Sequence, residues 1–324
     1  MTTATIHIFD RMPSAALRRF AWGVLGFFVV TILWGAVVRA TGSGNGCGDH
    51  WPLCNGTVWQ QSPTLHTMIE FTHRISAGAI DSVLVLTLIV WTWRRTMRGH
   101  LARWAAGATL FLTVTEGALG AVLVKFGLTA ESRSPMRAPV EALHLSNTLL
   151  LLAALAMTAH FLGRRIGYRW RDVRISAPIG TTAGMVAIMI VGVTGSLAAL
   201  GDTLFPASSL GNAMQQDFAG HLTGESTWLL RWRWTHPTVA ILASIFLIWL
   251  LIRAARRGGP WDNRKLSALV VGLLVVQYVL GALDVWLLAP VWMQVVHLLG
   301  ADALWTALVV LTARLALVPT LPKA

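Results

Sequence analysis

Eight runs of apolar residues punctuate the chain, near 20–41, 66–92, 103–125, 139–162, 177–200, 232–252, 266–288 and 292–313, with basic or mixed polar segments between them. Coiled as a helix, a run of about 20 residues crosses a hydrocarbon core of about 30 Å. The pattern therefore predicts an all-α polytopic membrane protein with eight transmembrane helices. Charge sets the orientation. Of the 26 Lys and Arg, only Arg39, Arg74, Lys125, Arg133, Arg137, Arg231 and Arg233 fall on one side, and the other 19 fall on the opposite side with both termini. The positive-inside rule puts that second side in the cytoplasm of a multi-pass protein, expected in the bacterial inner (plasma) membrane. The first run is followed by no small-residue cleavage site and reads as a retained helix.

Imidazoles are costly in apolar helices, and such residues are functional candidates by default. His73, His144, His236 and His297 each lie 17 to 21 residues before the first arginine of the next cytoplasmic segment (Arg94, Arg164, Arg253 and Arg314). At the rise of an α-helix that is roughly 25–32 Å, so all four belong near the outer face. Their order also reveals a repeat. Thr72-His73 matches Thr235-His236, Glu116-x-x-Leu119-Gly120-Ala121 matches Gln277-x-x-Leu280-Gly281-Ala282, and His144 matches His297; Thr41-Gly42-Ser43 is set against Thr194-Gly195-Ser196. The expected organisation is two tandem pseudo-symmetric four-helix bundles, residues 1–163 and 164–324, joined by the basic segment 163–176. The first outer connection of the later half, 201–231, is long enough for a short amphipathic segment.

Composition agrees with the membrane reading: 12% of residues are charged, against about 25% in soluble domains. The net charge of +12 is a topology signal rather than a nucleic-acid footprint, so no nucleic acid is expected as partner, and membrane lipid is. Cys47 and Cys54 share the first outer loop, on the oxidising side, where a disulfide is permitted; it would be either a staple on that loop or a redox-active pair.

Imidazoles from facing helices of a four-helix bundle project inward and can clamp a planar macrocycle through its iron. Each bundle offers two, so His73, His144, His236 and His297 are candidate haem-iron ligands. Glu70 lies three residues before His73, and Glu141 three before His144, whereas the later half has Arg233 and Gln294 at those places. Carboxylates beside histidines only in the first half point to chemistry there and electron relay in the second. Glu70 is the candidate catalytic group, as a proton acceptor or as a stabiliser of positive charge; an acid offsetting a helix dipole is the structural alternative. Arg39, Arg74, Arg231 and Arg233 rim the outer face as candidates for haem propionates or for snorkelling. Asp81, Glu116, Asp284 and Asp302 fall within spans and receive no role.

Arg39-Ala-Thr-Gly-Ser-Gly, then Cys47-x6-Cys54 enclosing Trp51-Pro52-Leu53, then Glu70-x-x-His73-Arg74, together resemble the bacterial haem A synthase family over nearly the whole chain. The resemblance implies an oxidoreductase that converts the C8 methyl of haem O to a formyl group, giving haem A for terminal oxidases. It implies that the first half is a substrate domain in which His73 and His144 hold haem O or haem A with Glu70 catalytic. The second half would carry the cofactor haem b on His236 and His297. Cys47 and Cys54 look like the outer-loop pair of the family; the second pair that many relatives carry has no counterpart in 201–231. Implied partners are a haem O synthase and oxidase assembly factors, with a homo-oligomer compatible. Two readings from other classes fit the same pattern: a di-haem cytochrome b-type electron carrier, and a parallel-repeat transporter, although the histidines lie too near one face for a midplane transport site.

Overall fold

The computed structural model describes residues 14–58, 60–163, 170, 173–175, 178–223, 229–256 and 261–319. Ten α-helices account for most of these described residues: α1 (Ala15–Ala40), α2 (Leu65–Arg74), α3 (Asp81–Arg95), α4 (Leu101–Lys125), α5 (Arg137–Leu162), α6 (Pro178–Leu204), α7 (Leu210–Thr223), α8 (Trp232–Arg256), α9 (Trp261–Trp286) and α10 (Val291–Ala316). Among them, eight spans are long and apolar enough to cross a membrane, with α2 and α3 forming one, Leu65–Arg95. The chain is thus an all-α, multi-pass membrane protein, as the apolar pattern predicts.

Local sequence signals set several helix ends. Ser14 caps α1 by accepting from Leu17 N–H at 3.2 Å, and Thr64 caps α2 by accepting from Thr67 N–H at 3.2 Å. His100 does the same for α4, its Nδ1 accepting from Ala102 N–H at 3.1 Å. Burial pushes the His100 imidazole down to about 4, with nearby Arg103 acting in the same direction, so the ring stays neutral and able to accept. The connection over 287–290 turns sharply: Leu288 and Ala289 have φ of 62° and 52°, and Pro290 precedes α10 as its cap.

Packing places α5 at the centre. It buries 72% of its apolar window, whereas α4 and α9 bury 11% each and turn most of their surface outward, as lipid-facing helices do. Around α5 pack α1, α4, α6 and α10, through a core that includes Leu17, Ala106, Leu152, Ala156, Trp305 and Leu308. Trp305 of α10, 2% exposed, donates from Nε1 to Leu149 O of α5 at 2.7 Å. Arg39 of α1 adds a second tie, donating to Ala199 O and Thr203 Oγ1 of α6 and to Gln294 Oε1 of α10 at 2.8 to 3.0 Å. The first four spans are thereby fastened to the last four at two levels.

Three features depart from the sequence reading or add to it. Residues 75–80, directly after α2, form a π-helical turn between α2 and α3, a widening often found at functional sites. The loop 201–231 does contain a helix, α7. On the opposite side, Val173–Ile175 (β1) pairs antiparallel with Leu317–Pro319 (β2), a short ladder that apolar periodicity does not reveal. The basic segment 163–176 otherwise lies largely outside the described residues, as does the proposed boundary at residue 164.

Candidate functional site

Two of the four histidines stand ring against ring. His236 on α8 and His297 on α10 have ring centroids 6.5 Å apart with their planes crossing at 81°. A metal bound between two imidazole nitrogens at about 2 Å each separates the centroids by about 6 Å, so this spacing suits an iron between the rings. His73, at the end of α2, lies within electrostatic reach of His144 on α5. Nδ1 of His73, His144 and His297 is buried without a hydrogen-bond partner, an expensive state for an apolar bundle unless something ligates these rings. His236 Nδ1 sits 3.2 Å from Thr194 Oγ1.

Glycines back three of the rings. A Cβ at Gly35 of α1 would lie 2.9 Å from His73 Cε1, one at Gly195 of α6 would lie 2.9 Å from His236 Cε1, and one at Gly281 of α9 would lie 3.3 Å from His297 Cε1. At Gly35 and Gly195 a Cβ would displace the imidazole, and at Gly281 it would press on it. This corrects the pairing of Thr41-Gly42-Ser43 with Thr194-Gly195-Ser196. Gly42 follows α1 in the left-handed region, at φ 65°, with open space around it, whereas Gly195 is inside α6 against an imidazole. The residue that serves as Gly195 does, but in the first spans, is Gly35.

Glu70 is buried, 3% exposed, beneath the disulfide loop. Cys47 and Cys54 form a disulfide with both residues buried. Glu70 Oε2 accepts from Cys47 N–H at 2.8 Å, and Oε1 accepts from Arg74 Nε at 3.0 Å and from its Nη2. Arg74 also donates to the loop carbonyls of Gly48, His50 and Leu53. One ion pair therefore clamps the cysteine loop over α2, one turn from His73. Glu141 behaves differently from the expectation that it attends His144: it pairs with Arg137 at 2.7 Å, and Arg137 in turn holds Ala130 O and Ser132 O.

The carboxylate that does face His144 is Glu116 of α4, its Oε1 3.6 Å from Nε2. Spacing within one helix could not reveal this contact, because it crosses between helices; the only sequence signal was the alignment of Glu116 with Gln277. Among the outer arginines, Arg39 and Arg74 donate as described, and Arg233 contacts Asp202 at 2.7 Å and Phe205 O at 2.6 Å. Arg231 is exposed. Asp81 and Asp302 are buried at 3% and 2% exposure with an oxygen left without a hydrogen bond, as is Oδ1 of Asp284.

Residues 18–309 match the COX15-CtaA family model, described as cytochrome oxidase assembly protein. A Thermus thermophilus protein named protoheme IX farnesyltransferase is 42% identical over 295 residues, covering 91% of this chain and 48% of that protein. The haem A synthase of Shouchella clausii is 44% identical over 103 residues, 32% of this chain and 34% of that protein. That of Alkalihalophilus pseudofirmus is 35% identical over 129 residues, 40% of each. The chain spans about half the length, or less, of these relatives.

Proposed function

The chain belongs to the COX15-CtaA family of cytochrome oxidase assembly proteins, and on that footing we propose that it is a haem A synthase, oxidising the C8 methyl of haem O to a formyl group. The observation that carries this reading is the pair of imidazoles His236 and His297 with centroids 6.5 Å apart, beside three of the four rings with a bare buried Nδ1. In the proposal the chain works as two tandem halves. His73 and His144 would hold the substrate haem, and His236 and His297 would hold haem b. A methyl C–H is unactivated, so haem, when bound, would supply the redox chemistry that no side chain can.

The protein's own groups position and neutralise. Oxidation of a methyl carbon releases protons, and Glu70 is the carboxylate placed to take one, a helical turn from His73. Arg74 fixes Oε1, which leaves Oε2, shared only with Cys47 N–H, as the accepting atom. In this scheme the disulfide loop shields Glu70 from bulk water, and Cys47–Cys54 acts first as the staple of that loop. Arg231, exposed at the outer rim, is the arginine placed to meet a propionate; Arg39, Arg74 and Arg233 already donate to protein acceptors. The cytoplasm would hold both termini, and the membrane would be the bacterial inner membrane.

The name of the Thermus relative assigns farnesyl transfer onto protohaem IX to a protein that also contains a stretch like this one. Farnesylated haem is the substrate proposed here, so a haem O synthase is the proposed supplier, and oxidase assembly factors the proposed receivers. The test is expression in cells that make haem O and no haem A. Acid-acetone extracts analysed by mass should contain haem A when the chain is expressed and none with empty vector. Extracts holding haem O alone, with haem b bound to the purified protein, would favour the electron-carrier reading instead.

A further inference from the structure

Glu116 and Gln277 occupy matching places in the two sets of spans, yet their surroundings differ in a way that bears on the histidines. Gln277 lies across Gly300: a Cβ there would meet Gln277 Nε2 at 2.1 Å. Passing over that glycine, the amide donates to the backbone carbonyl of His297 at 3.3 Å and leaves the imidazole alone. In the first spans, the residue three after the histidine is Asn147 instead of Gly300, and the next is Thr148 instead of Ala301. Asn147 Nδ2 donates to Glu116 Oε2 at 2.5 Å and Thr148 Oγ1 donates to Oε1. Asn147 is itself fixed, accepting from Thr115 Oγ1 at 2.7 Å and donating to Leu112 O at 2.9 Å. The carboxylate so held stands 3.6 Å from His144 Nε2, a fraction of an ångström beyond hydrogen-bond length. His144 Nδ1 meanwhile has no hydrogen-bond partner.

We infer that Glu116, clamped by Asn147 and Thr148, is the positioning residue of His144, giving the first histidine pair a carboxylate-backed imidazole that the second pair lacks. The inference rests on the proposal that His73 and His144 hold a haem. A histidine ligand whose second ring nitrogen faces a carboxylate is oriented by it and becomes a stronger donor. A stronger donor stabilises the oxidised iron, so the two haem sites differ in potential through their neighbours: the first is lowered by Glu116, and the second, with Gln277 turned to a backbone carbonyl, is not. Such a difference gives the two sites of one chain distinct electronic tasks.

The experiment is a spectroelectrochemical titration of the full-length, haem-loaded protein in detergent, after the haems bound to wild type and to His73→Ala have been counted by extraction. Glu116→Gln keeps the shape of the side chain and installs the residue of the matching position. The haem that depends on His73 should become easier to reduce by at least about tenfold in its oxidised-to-reduced ratio, about 59 mV for one electron. The haem that depends on His236 should not move. Asn147→Gly, which frees the carboxylate without removing it, should shift the same haem in the same direction by less, and it covers the case in which Glu116→Gln does not fold. An unchanged first potential in both variants overturns the inference and leaves the haem reading intact. A wild type with no His73-dependent haem overturns the two together.

Discussion

Glu70→Ala is expected to abolish haem A formation and to loosen the outer loop at the same time. The side chains of Glu70 and Arg74 are 4% and 9% exposed, so removing the carboxylate strands a guanidinium in a buried place. Breaking one partner of a buried pair costs about 3–5 kcal/mol. The backbone N–H of Cys47 loses its acceptor as well, a further cost of about 1–3 kcal/mol for a buried donor. The loop carbonyls of Gly48, His50 and Leu53 are held by the same arginine, so the whole of the cysteine loop should become mobile over α2. Thermal unfolding in detergent and protease sensitivity of the loop read the structural loss, and haem A yield reads the activity. Glu70→Gln separates the two roles. Its amide keeps an acceptor for Cys47 N–H, so the loop should stay partly ordered while haem A formation still fails. Full haem A yield from Glu70→Gln would refute a proton-accepting role and leave Glu70 as a clamp.

The second large effect should come from a residue that touches no iron. Gly195→Val places a branched side chain where even a Cβ would stand 2.9 Å from His236 Cε1. Real Cβ contacts do not come so close, and α6 packs tightly on α8, so the imidazole must swing away from its place facing His297. The second haem site should lose affinity by about tenfold or more, tenfold corresponding to about 1.4 kcal/mol, with the first haem retained. Gly42→Val is the control from the matching tripeptide: its Cβ has open space but its φ of 65° disfavours a β-branched residue, so it should cost stability and not haem. The haem-to-protein ratio from difference spectra distinguishes these outcomes.

Much of the architecture was legible because membrane spans are written in long apolar runs. All eight were present in the sequence, and the disulfide was readable from two cysteines in one outer loop. The helix over the later spans was anticipated from the length of its loop. The histidines stood out because polar groups are rare inside such runs. What resisted reading was the partnering of side chains between helices. Glu141 sits on the same helical face as His144, but Arg137, one turn earlier, takes its charge. Glu116 reaches His144 only because α4 and α5 pack with those faces together. The repeated Thr-Gly-Ser misled because glycine serves two different physical ends, a left-handed helix terminus at Gly42 and a close approach at Gly195. The π-turn at 75–80 has no composition that separates it from an ordinary helix.

If imidazoles from facing spans hold haem in two places with different occupants, losing one histidine should remove one pigment and spare the other. The decisive measurement is extraction and mass analysis of pigment from purified wild type, His73→Ala and His236→Ala. Wild type should yield haem b together with farnesylated haem, His73→Ala should lose the farnesylated species alone, and His236→Ala should lose haem b alone. Pigment that is entirely haem b in wild type, or identical in all three proteins, would contradict that arrangement.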